Sequence, residues 1–239
     1  MARKYFLVFN NLSSLRDLDL RIIKRPNIPY PKRRYEIFEL QGIDGQEVED
    51  LGTFDDVKID VEFNFIDRAN INIKATKILN WLNNINDYKL SFADDSERYR
   101  KVKMIECTDI ERQLRVKGSF TVSFICDPFK YYIESSLITI KANNYSIYSN
   151  ELVYNAKPSI KVYGSGDITL TINNKAIILK GISDHIILNS TLMEAYNDNV
   201  ENLNNKMNGE FPILQAGLNT ISWIGNITKI EITPNWRTL

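Results

Sequence analysis

Between Val57 and Phe65 apolar and polar residues alternate without a break over nine positions, and no other stretch constrains the fold as much. Side chains on a strand point to opposite faces with a period of two. Val57, Ile59, Val61, Phe63 and Phe65 therefore form one apolar face, and Lys58, Asp60, Glu62 and Asn64 a polar one. A helix would scatter the same residues around its axis. The run predicts a half-buried strand of the kind antiparallel sheets use.

A helix is expected directly after it. Asp67 is a good N-cap, and Ile71, Ala75, Ile78, Leu79, Leu82 and Ile85 recur at intervals that place them on one face. Asn83, Asn84, Asn86 and Asp87 end it. Around this helix the pattern returns to short strands: Tyr5 to Phe9, Leu18 to Ile23, Lys89 to Phe92, Tyr99 to Ile105, Ile110 to Val116 and Ser119 to Cys126. Many strands and a single helix describe a β-rich domain with one packed helix. Two segments interrupt it. Pro26 to Tyr35 carries prolines that forbid a helix and disfavour a central strand, so it reads as an extended segment able to lie along a neighbour, or as a surface loop. Ile43-Asp44-Gly45-Gln46 carries an Asp-Gly turn signal.

The run Asp127-Pro128-Phe129-Lys130-Tyr131-Tyr132 breaks the strand pattern and is taken as the domain boundary. Of the 30 basic and 30 acidic residues, 22 and 21 precede residue 133, so the second part is far less charged. It is rich in Asn, Ser, Thr and Ile. Short strands are expected at Ile138 to Lys141, Ser159 to Tyr163, Asp167 to Ile172, Ala176 to Leu179, His185 to Leu188, Gly217 to Trp223 and Thr228 to Thr233. Gly164-Ser165-Gly166-Asp167 and Asn173-Asn174 read as turns, and Asn197 to Asn208 as a long loop. This spacing suggests a β-sandwich over residues 133–239, after a first domain over residues 1–132.

At 239 residues and 44% hydrophobic content, the chain can bury one or two ordinary cores. Its formal net charge is zero, so no field of one sign is available to hold a nucleic-acid backbone. No apolar run is long enough to span a bilayer. Met1 to Phe9 begins with a short basic stretch, but its apolar part stops at Asn10 without a cleavage site, so a first strand is expected rather than a signal peptide, with folding in a reducing cytoplasm. Cys107 and Cys126 are expected as two buried thiols, with a disulfide as the minor alternative and metal binding weaker still.

Enzyme chemistry finds little to work with. The one histidine, His185, would have to serve any Ser-His-Asp system, yet no Gly-x-Ser-x-Gly elbow is present, and Asp184 would face the other side of a strand. Gly164-Ser165-Gly166-Asp167 lacks the Lys-Ser/Thr of a phosphate loop and opens a strand rather than a helix. The pairs Asp55-Asp56 and Asp94-Asp95 read as solvated turn residues rather than a metal or glycosidase site. No catalytic residue, metal site or cofactor is expected. Exposed aromatics could stack on sugar rings, and Tyr145, Tyr148, Tyr196, Trp223 and Trp236 are the candidates, with core packing the better account of Trp223.

Taken in order, several runs resemble a known family. They are Pro31-Lys32-Arg33-Arg34-Tyr35, an acidic turn, Leu51-Gly52-Thr53-Phe54-Asp55-Asp56, Val61 through Asp67, Trp81-Leu82, Cys126 through Tyr131, Tyr163 through Leu170, Asn208 through Pro212, Gly217-Leu218-Asn219 and Ile230 through Arg237. This ordered set is similar to the distal tail proteins of long-tailed phages (siphophages) and their prophages. The resemblance implies a tail-tube-like N-terminal domain of sandwich or barrel type with one helix, and a C-terminal sandwich like galectins or carbohydrate-binding modules. It further implies a homo-hexameric ring at the virion tail tip, assembled in the host cytoplasm. That ring would join the tail tube and tape-measure protein to a tail-associated or tail-fibre protein and the receptor-binding components. DNA would only pass through its lumen, and a host cell-wall glycan is a further candidate partner. A belt reaching the next subunit would come from Pro26 to Tyr35, with Pro31, Arg33, Arg34 and Tyr35 as its contacts, or from Gly42 to Asp56. The alternatives are another tail-tube or baseplate subunit, and a carbohydrate-binding adhesin module using Tyr145, Tyr148, Tyr196 and Trp236.

Overall fold

The computed structural model describes residues 5–39, 41–42 and 44–239, except the side chains of Gln113 and Leu114. The basic stretch at residues 1–4 and Ile43 of the expected turn lie outside the described residues. The chain divides into two compact units, Met1–Lys130 and Tyr131–Leu239, and each has its own hydrophobic core. Among the described residues no helix is long and apolar enough to cross a membrane.

In chain order the first unit contains β1 (Leu7–Phe9), β2 (Leu12–Ser13), β3 (Arg21–Ile22), β4 (Arg33–Phe38), β5 (Glu47–Phe54), β6 (Val57–Ile66), α1 (Ile71–Asn83), β7 (Lys89–Phe92), β8 (Asp95–Cys107), β9 (Glu111–Leu114) and all but the last two residues of β10 (Lys117–Tyr132). Its main sheet runs β2-β1-β7-β8-β10-β6-β3, with β9 also on β10. The alternating run is β6, and all five of its apolar residues are buried. Antiparallel pairing sets Val61 opposite Val122, Phe63 opposite Phe120 and Ile59 opposite Phe124, so the two apolar faces coincide. Helix α1 closes this wall. Ile78, Trp81 and Leu82 are buried, and Trp81 Nε1 donates to the Phe9 carbonyl at 3.0 Å. The Trp81 ring meets Phe9 and Phe63 edge-on at 5.9 and 6.3 Å.

Several expectations need correction here. The N-cap is Asn70, whose side chain accepts from Asn72 N and Ile73 N. Asp67 instead accepts from Ala69 N and Asn70 N at 2.8 and 2.9 Å, forming a local turn one step earlier. Leu79 is 44% exposed, and Ile85 lies beyond the helix end. Only Arg21–Ile22 of the expected strand from Leu18 is extended pairing, although Leu18 and Leu20 are buried. Strand β10 does not stop at Asp127-Pro128 but continues to Tyr132 with its buried alternation intact through Pro128. Its ladder with β6 ends at Cys126, so the missing N–H of Pro128 is not demanded on that side. Cys126 is buried, but Cys107, near the end of β8, is exposed.

The second unit contains β11 (Ile138–Ile140), β12 (Tyr145–Ser149), β13 (Ser159–Ile172), β14 (Lys175–Ile182), β15 (His185–Asn189), β16 (Glu194–Tyr196), β17 (Met207–Asn208), β18 (Gly217–Thr233) and β19 (Arg237–Thr238). Two strands organise it. β13 pairs with β18 from Ser159–Ser165 opposite Thr233–Asn226, then again from Thr169–Ile172 opposite Ile224–Ile221, with a register break between. The first half of β13 takes β15 on its other edge, and the second half takes β14. Likewise β11 pairs with the late part of β18 and β12 with its early part. Two layers result, β11-β18-β13-β15-β16 and β12-β18-β13-β14-β17, around a shared core that includes Ile160, Val162, Leu170, Ile172, Ile221 and Ile230.

The run Gly164-Ser165-Gly166-Asp167 is thus not a turn between strands. It is the bend within β13, where a Cβ at Gly164 would come within 2.2 Å of the Asn226 carbonyl oxygen. The two strands expected at Gly217 to Trp223 and Thr228 to Thr233 are one, bending near Gly225. Asn173 and Asn174 do form the turn into β14, both in the left-handed region at φ 50° and 65°. Part of the expected loop from Asn197 folds as a short 3-10 turn, Asn204–Lys206, leading into β17.

Candidate assembly interface

Among the described residues, strands β4 and β5 pair with each other and with no other strand. All of β4 and all of β5 except Phe54 are exposed. A two-stranded ribbon with no layer on either face is marginal in water. Its sequence is nevertheless that of a strand meant to be covered. Tyr35, Ile37 and Val48 lie on one face, Ile37 directly opposite Val48, at 53%, 57% and 56% exposure. On the other face Glu36 stands opposite Glu49 and Phe38 opposite Glu47, and like charges so placed weaken an isolated pair. No basic residue occurs between Arg34 and Lys58. The ribbon is an arm with Tyr35, Ile37 and Val48 on one side, beside Asp50, and Glu36, Glu47, Glu49 and Phe38 on the other.

Its root is built differently. Pro31 is buried, and the Lys32 carbonyl accepts from Asp55 N at 2.8 Å. Arg34 Nε bonds Asp55 Oδ1 at 2.6 Å, and Arg33 Nε bonds the Asp50 carboxylate at 2.7 Å. The Arg33 guanidinium lies 5.8 Å from the Phe54 ring centre, and that ring meets Phe129 edge-on at 5.7 Å. Asp50 also accepts from Gly52 N at 2.8 Å, where the chain turns left-handed at φ 66° beside a register break. The Arg33 hydrogen bond, with the Gly52 N–H, holds the Asp50 carboxyl below the usual carboxylate range. Two segments that the sequence offered as separate candidates, Pro26 to Tyr35 and Gly42 to Asp56, are therefore brought together as the two sides of one arm. Pro31 leads into it, and Arg33, Arg34 and Tyr35 begin β4.

The aromatic candidates of the second unit do not gather. Tyr145 and Tyr148 are 39% and 72% exposed, but three residues apart on β12 they point to opposite faces. Tyr196 is half-buried in β16, with its hydroxyl 3.4 Å from Asn189 Nδ2. Trp223 and Trp236 are both partly buried against the core. His185 Nδ1 lies 2.6 Å from Asp184, which corrects the expectation that the two face apart. The alternation rule fails there because Asp184 sits in the bend before β15. His185 Nε2 accepts from Asp198 N at 3.3 Å, so the ring ties the 198 loop to the strand.

The acidic pairs are also more engaged than solvated turns would be. Asp56 pairs with Lys103 at 2.6 Å, and Asp95 holds both Arg98 and Lys130 at 2.7 Å. Among the described residues no group of three His, Cys, Asp or Glu side chains is placed to hold a metal ion. Sequence reasoning missed the Asp95 cluster because Lys130 lies 35 residues from it and only the sheet brings them together.

Residues 12–126 match the model of a family described as the phage tail protein RIFT-related domain. No curated protein matches the chain in sequence. Among solved structures it is similar to the crystal structure of the Dit protein of phage SPP1, described as a paradigm of the hub adsorption apparatus in phages infecting Gram-positive bacteria. The TM-score is 0.71 over 98% of this chain and 99% of that one, at 12% identity. Residues 12–126 thus match a phage tail RIFT-related domain, and the chain as a whole, as its sequence resemblance led one to expect, shares the fold of the SPP1 Dit protein.

Proposed function

We propose that this protein is a non-catalytic hub of a phage tail: residues 1–132 form a homo-hexameric ring, and residues 133–239 form a docking domain. The ring would sit at the tail tip, joining the tail tube and tape-measure protein to the tail-associated or tail-fibre components. DNA would pass through its lumen. The observation that carries this reading is the β4–β5 arm, a strand pair with exposed Tyr35, Ile37 and Val48 and, among the described residues, no layer of its own unit to cover them. A head-to-tail contact in which each arm lies on the next subunit generates a closed ring when the rotation closes. The full-length likeness to the SPP1 Dit protein supports the same arrangement.

Negative-stain electron microscopy and sedimentation of the purified chain test it. Sixfold rings are expected, and replacing residues 36–50 by a short Gly-Ser turn should give a folded monomer. A wild-type chain that remains monomeric at every concentration would sink the hub reading.

A further inference from the structure

Beside the segment that leads into the arm, the first unit holds a cavity of about 280 Å³, lined on one side by Pro26, Ile28 and Pro29. Its charged residues are not balanced. Asp95 is shared by Arg98 and Lys130, each at 2.7 Å. Asp94 accepts from the Tyr5 hydroxyl at 3.1 Å and lies 3.9 Å from Arg25. Arg100 is left over. It is 4% exposed and lines the cavity, and its Nη1 donates to the carbonyls of Pro128 and Asp127, at 2.7 and 3.3 Å. Among the described residues no carboxylate lies within 4.0 Å of it. A guanidinium stays charged when desolvated, and its remaining N–H donors suit a carboxylate in a planar fork. The cavity holds more cations than carboxylates.

We propose that a carboxylate from the arm tip of a second copy fills this cavity, an inference that rests on the ring reading above. Charge complementarity selects the occupant. The tip carries Glu39 and Asp44 between the strands and Glu47 at the start of β5, and no basic residue. With a rise of about 3.3 Å per residue, the six residues of β4 carry that tip roughly 20 Å from the arm's root, far enough to cross onto a neighbour. The contact divides the work of docking. The apolar face of Tyr35, Ile37 and Val48 supplies area, and the seated carboxylate sets the arm's register, because only one acidic side chain can occupy the fork.

The test mixes isotopically labelled and unlabelled full-length protein and applies a zero-length carbodiimide cross-linker. A cross-link between copies joining Lys130 to Glu39, Asp44 or Glu47 is expected. The variant Glu39→Gln/Asp44→Asn/Glu47→Gln alters only exposed side chains, and should raise the concentration needed for assembly roughly tenfold while reducing its sensitivity to salt. Lys130→Met should act in the same direction. If rings form but the tip cross-links only to other lysines, or if the neutral-tip variant assembles like the wild type, this docking site is overturned and the hub reading stands. A chain that never assembles overturns both.

Discussion

Gly164 marks the tightest point of the second unit. Adding a methyl group would push a carbon into the Asn226 carbonyl, a backbone atom that cannot step aside. Gly164→Ala should therefore cost about 3 kcal/mol of stability, read from denaturant unfolding. The two cysteines give a second measurement. Burial pushes the Cys126 thiol up to about 12, and partial burial together with Asp109 also raises that of exposed Cys107. An alkylating reagent at pH 8 should label Cys107 slowly in the native protein and reach Cys126 only after unfolding, counted by intact mass. At Asp95 burial disfavours the charge, but hydrogen bonds from Lys130 and Arg98 outweigh it, so the carboxyl is held below its ordinary value. The stability this provides is complete above the ordinary carboxyl range, about pH 4, and is lost as pH falls through the lower folded value. Unfolding midpoints measured between pH 2 and 7 should fall on the acid side, and Asp95→Asn should flatten part of that fall.

Helix α1 depends on a cap that sequence reading misplaced. Asn70→Ala should cost about 1 kcal/mol, whereas the same change at Asp67 should matter less to the helix itself. Both residues are legitimate cap types, and only the backbone geometry tells which is followed by helical turns. The same limit explains other differences. The alternation from Val57 to Phe65 was fully legible because periodicity reports burial directly. Gly164-Ser165-Gly166-Asp167 has the composition of a turn, but a bend inside one long strand needs the same residues, and only the partner strand β18 distinguishes them. Pro128 read as a break because a lone sequence does not reveal which side of a strand has lost its neighbour. The two halves of the arm were each visible as odd segments, the first by its prolines and the second by its acidic turn. Their pairing was not, since Tyr35 opposite Asp50 is a contact across a turn of uncertain length.

At the scale of the molecule, the fall in charge after residue 132 accompanies a real change in how the core is made. The first unit's core mixes the aromatic rings Phe9, Phe63, Phe120, Phe124 and Trp81 with aliphatic residues, while that of the second is almost wholly aliphatic. Separate cores imply separate folding, and a fragment spanning residues 131–239 should unfold cooperatively by itself in a thermal melt. A broad, featureless melt would count against that independence. Strands β13 and β18 add a consequence for this fragment. In most two-layer sandwiches the sheets meet only through side chains, so one can loosen while the other persists. Here the same two strands run through both layers, paired with each other in two stretches on either side of a register break. Amide protons deep in either layer should then exchange with deuterium at one common, slow rate set by global opening. A pull applied along β18 would also load that ladder in shear, so that many bonds must give way together rather than unzip in turn.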